Sequence, residues 1–104
     1  MNVYMDDQRP CPAGFTLATT VEQALELTRN NKVHTLSLDY NMGLRQKNGL
    51  YFIDIFCKEG LHVEKIYLHT NDTIGQHYML NRIQKGKVSG EISSSIIIKC
   101  VGSY

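Results

Sequence analysis

Five short stretches of this chain could do chemistry together. Asp6 and Asp7 follow the apolar run Asn2 to Met5, Asp39 follows Thr35 to Leu38, and His69-Thr70 follows Lys65 to Leu68. Lys99 follows a fourth run, Ser94 to Ile98, and Arg9 lies just past the first acids. Apolar runs of this length read as buried strands. In an open α/β sheet, ligands bind outside the carboxyl ends of the strands. Parallel strands bring those ends to one edge, so residues far apart in sequence converge there. Three crowded carboxylates repel one another, and a hard cation such as Mg²⁺ relieves that repulsion while taking phosphate oxygens as further ligands. Asp6, Asp7 and Asp39 are therefore the expected metal ligands. Arg9, whose guanidinium fork matches phosphate geometry, and Lys99, which offers an ammonium, are the expected phosphate binders. His69 and Thr70 add an imidazole, with an ordinary pKa of about 6.5, and a hydroxyl to the same edge. A single Asp at a strand end ordinarily forms a turn, and a single His there ordinarily sits in the core. The convergence of several on one edge is what points to a site.

The elements that must position these residues are legible in outline. Gln8 to Gly14 holds Pro10 and Pro12 and reads as a loop, and Phe15 to Thr19 suits a short strand. Thr20 opens a helix, with Gln23 at capping-box spacing. Val21, Ala24, Leu25 and Thr28 form its apolar stripe, and Asn30-Asn31 ends it. Leu50 to Glu59 is helical through Phe52, Ile53, Phe56 and Cys57, with Gly60 at its C′ position. Thr73 and Gln76 repeat the capping-box spacing ahead of Tyr78, Met79 and Ile83. Lys85 to Glu91 is mostly polar. The order β-β-α-β-α-β-α-β predicts a largely parallel sheet covered by helices on both faces. The first two strands are an exception, joined by the nine residues Asp6 to Gly14 with no helix.

The chain has 104 residues, 42% of them hydrophobic and 20% charged, with a net charge of +1. That length suits one domain, 1–104. The charge gives no bulk attraction to membrane or duplex DNA. Cys11, Cys57 and Cys100 show no paired spacing, which argues against a disulfide framework or a zinc knuckle. No apolar run approaches the roughly 20 residues that span a bilayer, and MNVYMDD does not read as a signal peptide. The expected location is the cytoplasm.

The motifs resemble those of two related families. Two-component receiver domains carry an acidic pair after the first strand, a phospho-accepting Asp after the third, a Thr or Ser after the fourth and a Lys after the fifth. The matching residues here are Asp6-Asp7, Asp39, Thr70 and Lys99. The closer resemblance is to cyclic-phosphate processing receiver domains, through YMDDQRPCP, LDYNMG, a helix containing Gly49-Leu50-Tyr51, HTNDTIG and Met79. It extends to about residue 85. The chain has Tyr40 and Asn41 where that family tends to show His and Asp, and Asp72 where it tends to show Asn.

The resemblance implies a receiver-like (flavodoxin-like) three-layer α/β domain, reduced by the missing first helix. It also implies a Mg²⁺-assisted phosphoesterase that hydrolyses cyclic phosphates, with His69 as general acid or base, Thr70 orienting a phosphate oxygen, and 2′,3′-cyclic ends of RNA or nucleotides as the expected partners. A phospho-accepting signalling receiver and a non-catalytic cyclic-nucleotide binder are the alternatives.

Overall fold

Apolar runs of three or four residues become strands, and the capped amphipathic runs between them become helices. The computed structural model describes residues 1–101; the last three residues of the expected 1–104 domain lie outside that description. The elements are β1 (Asn2–Met5), β2 (Thr16–Ala18), α1 (Val21–Asn30), β3 (Thr35–Leu38), α2 (Gly49–Lys58), β4 (Lys65–Leu68), α3 (Thr73–Ser89) and β5 (Ile97–Cys100). The strands form an all-parallel sheet in the order β2-β1-β3-β4-β5. This is an α/β receiver-like fold. No helix among the described residues is long and apolar enough to cross a membrane.

Thr20 caps α1 by accepting the Gln23 N–H at 3.1 Å. The Gln23 side chain reaches back one residue further than a capping box does, to the N–H of Thr19. Asn48 caps α2. Helix α3 is capped by Asp72, not Thr73: the Asp72 carboxylate accepts the Gly75 N–H at 2.7 Å. The polar stretch after Met79 continues that helix to Ser89, where Gly90 ends it in the left-handed region. The last strand starts at Ile97 because the serines before it form a turn, with the Ser95 N–H held by the Ser93 hydroxyl.

Helix cover on both faces of the sheet is not what the chain builds. The crossovers through α1, α2 and α3 all step across the sheet toward β5. Right-handed connections of that kind must lie on one face, and α2 touches both α1 and α3. Val3, Met5, Leu36, Leu38, Ile66 and Leu68 point into this helical layer and are fully buried. The step from β1 back to β2 is the one that would place a helix on the other face, and it is the loop Asp6 to Phe15. The second face therefore carries that loop over its β1 side. Leu17, Tyr4, Ser37, Tyr67 and Lys99 form one row across this face, with Leu17 and Lys99 exposed at its two ends.

Candidate functional site

Side chains alternate across a strand, so Tyr4 and Asp6 share the loop-covered side of β1, Ser37 and Asp39 that of β3, and Tyr67 and His69 that of β4. Asp6, Asp39 and His69 thus meet where the strands end, and all three are buried. Asp6 is the anchor. Its Oδ1 accepts the backbone N–H groups of Gln8 at 2.8 Å and Arg9 at 3.0 Å, which fixes the turn after β1. Its Oδ2 accepts Arg9 Nη1 and His69 Nε2, each at 2.9 Å. Burial pushes the Asp6 carboxyl upward, but these four donors outweigh it and hold the group below the usual carboxylate range.

His69 has no exposed surface. Its ring stacks on Tyr4 with centroids 4.4 Å apart and planes 4° from parallel. Nδ1 lies 2.7 Å from Ser37 Oγ. The carboxylate beside Nε2 requires a proton there, so Nδ1 accepts from the Ser37 hydroxyl. Burial holds the imidazole below its ordinary pKa despite the attraction of Asp6, and so favours the neutral ring. Asp39 is pushed the other way, first by burial and then by the charge of Asp6, against the Tyr40 N–H, the Thr70 hydroxyl and Arg9. Its Oδ1 accepts the Tyr40 N–H at 2.7 Å, while its Oδ2 has Arg9 Nη1 at 3.4 Å. Two glycines make room here. A Cβ on Gly49 would lie 2.3 Å from the Asp39 carbonyl oxygen, and one on Gly75 would lie 2.3 Å from the Tyr40 ring.

Asp6, Asp39 and His69 each offer a ligand atom within 4.8 Å of one another, so this buried group could hold a metal ion. The lone pairs of Asp6 and both nitrogens of His69 are already committed to hydrogen bonds. The less committed oxygens are Asp39 Oδ2 and Asp7 Oδ1, which is buried with no partner among the described residues. Oxygens of this kind suit a hard cation, but Asp7 lies outside the group whose ligand atoms fall within 4.8 Å of one another.

The structure places the expected residues unequally. Asp6, Arg9, Asp39, His69 and Thr70 come together. Asp7 sits alongside, its Oδ2 facing Gly43. Lys99 does not join them: it lies inside β5, exposed, level with Tyr67. A cleft of about 290 Å³ opens beside the acids, lined by Gln8, Arg9, Asp39, Asn41, Thr70, Asn71 and Asp72. Ser37 and Tyr4 escaped sequence reasoning. The signal that finds them is the i, i+2 relation to Asp39 and Asp6. The exchanged residues Asn41 and Asp72 are bonded to each other, Nδ2 to Oδ2 at 3.3 Å, so the acid of that pair remains at the cleft from the opposite side.

Residues 1–85 match the family model described as the cyclic-phosphate processing receiver domain, a stretch that includes every residue of this cluster. No curated protein matches the chain.

Proposed function

Since the chain belongs to the cyclic-phosphate processing receiver domain family, we propose that it binds a cyclic phosphate ester at the carboxyl edge of the sheet and hydrolyses the ring with help from a divalent cation. The observation that carries this reading is Arg9. Its guanidinium is held by Asp6 and Asp39 through one nitrogen, Nη1, at the rim of the cleft. That leaves the other donors of the fork for phosphoryl oxygens.

Asp7 and Asp39 would hold Mg²⁺, which when bound supplies charge neutralisation for the phosphoryl oxygens and a more acidic water. Arg9 neutralises the non-bridging oxygens. Thr70, whose Oγ1 accepts the Asp72 N–H at 3.0 Å, fixes the turn that leads into α3 and lines the cleft beside Asp39. His69 is a positioning residue in this arrangement. It touches Asp6, and Asp6 holds both the backbone and the side chain of Arg9.

The test is incubation with Mg²⁺ and a nucleoside 2′,3′-cyclic phosphate. Ring-opened monophosphate is expected, with turnover falling about a hundredfold in Arg9→Ala, the scale of losing a donor to a charged transition state. Part of that loss should return in Arg9→Lys. Acetyl phosphate with Mg²⁺ should add no phosphoryl mass. An Asp39 phosphoryl adduct with the cyclic ester left intact would overturn the reading in favour of a signalling receiver. Binding without turnover would make the domain a receptor for cyclic phosphates instead.

A further inference from the structure

The face of the sheet without helices carries a second cavity, of about 490 Å³, lined by Tyr4, Arg9, Pro10, Pro12, Phe15, Ser37 and Tyr67. Its walls are three aromatic rings and two prolines, and the lining residues carry few polar groups: the Tyr4, Ser37 and Tyr67 hydroxyls and the Arg9 guanidinium. That volume and mixture are typical of a site for a small organic ligand. The Phe15 ring stands edge-on to Tyr4, with centroids 6.1 Å apart at 76°, so the loop after β1 is fixed as a wall by packing. Tyr67 is half-buried on the opposite side, one strand beyond Ser37.

Arg9 lines both this cavity and the acidic cleft. One side chain therefore forms a wall shared by an apolar aromatic chamber and a site for a charged phosphoryl group. A ligand that fills both must be flat and aromatic at one end and a phosphate ester at the other, joined by a short spacer.

We propose that the cavity on the loop-covered face is a nucleobase subsite. The base lies against Tyr67 and Phe15, and the ribose passes Arg9 to place its cyclic phosphate in the acidic cleft. Base-on-aromatic stacking suits this wall because every base has a π-face, and an Arg guanidinium is itself a common stacking partner for bases. The Ser37 hydroxyl is committed to His69 as a donor, so its remaining lone pairs offer an acceptor to a base amino group. The substrate is then a nucleoside 2′,3′-cyclic phosphate, free or at an RNA end. A small cyclic phosphodiester without a base fills the acidic cleft alone and binds more weakly.

The inference rests on the cyclic-phosphate reading, and two ligands separate the two claims. Binding of adenosine 2′,3′-cyclic phosphate and of glycerol 1,2-cyclic phosphate, which has the ring but no base, is measured by calorimetry with Mg²⁺. The nucleotide is expected to bind about ten- to a hundredfold more tightly, the range that stacking one base supplies. Tyr67→Leu keeps the wall apolar but removes the flat ring. In that variant the nucleotide should lose most of its advantage while the glycerol ester binds as before. Phe15→Leu should act in the same direction. Equal affinity for the two ligands in the wild type would overturn the subsite and leave the cyclic-phosphate reading standing, as would an advantage that survives both substitutions. Failure of both ligands to bind would overturn that reading and the subsite with it.

Discussion

The two faces of this sheet are made by the same strands and do different work. On one face Val3, Met5, Leu36, Leu38, Ile66 and Leu68 meet Phe52, Phe56, Met79 and Ile83 from the helices, all essentially without exposure. On the other, the same strands present Tyr4, Ser37 and Tyr67, and the residues just beyond them are Asp6, Asp39 and His69. The helical face is uniform and dry, so its contribution is burial of apolar area. The loop-covered face mixes rings, hydroxyls and charges, and its groups are fixed by directed hydrogen bonds such as Ser37–His69–Asp6. A strand thus separates stability from chemistry by alternation alone.

The comparison predicts unequal responses to mutation. Phe52→Ala on the helical face should cost about 3–5 kcal/mol, the usual loss for a buried Phe, read by urea denaturation. A loss under 1 kcal/mol would show that this layer is not the main source of stability.

A smaller effect concerns acid and falls on the other face. His69 has its folded pKa lowered by burial, so the unfolded chain takes up a proton first as pH falls. Its contribution is complete above the unfolded value near 6.5 and is lost as pH drops toward the folded value. The stability of the wild type in EDTA should therefore decline below pH 6.5, by at most about 1.4 kcal/mol per pH unit for one proton. His69→Gln should remove that slope between pH 6.5 and 5. Asp6, lowered as well, adds its own loss only at more acidic pH. Identical slopes in the two proteins would detach His69 from the network.

The smallest expected change is of opposite sign. Asp39→Asn removes a charge that burial and Asp6 disfavour, so without metal it should leave stability unchanged or raise it by about 1 kcal/mol. Mg²⁺ should raise the melting temperature of the wild type more than that of the variant. Equal shifts would argue against Asp39 as a ligand.

How far the sequence reached follows the same division. The bounds of β1, β3 and β4 were readable because each run is apolar and stops at a charged or polar residue. The convergence of Asp6, Asp39 and His69 followed from parallel order. Which face a helix covers was not readable, because alternating strands look the same under either cover; the direction of each crossover decides it. The cap of α3 was misplaced by one residue because Asp72 and Thr73 are both good caps, and only the reach to the Gly75 N–H separates them. Lys99 was expected at the edge because Ser94 to Ile98 reads as the last strand. Ile96 instead belongs to the turn that precedes β5.

The connection from β1 to β2 has an entropic side as well. Paired residues Val3 and Thr16 are thirteen positions apart, whereas Leu36 and Ile66 in the next pair of strands but one are thirty apart. Closing the shorter segment costs about 0.7 kcal/mol less chain entropy in the flexible-chain limit. Pro10 and Pro12 lower it further by stiffening the unfolded segment. The arginine at the edge of the sheet is therefore carried on the least costly closure among the parallel pairs.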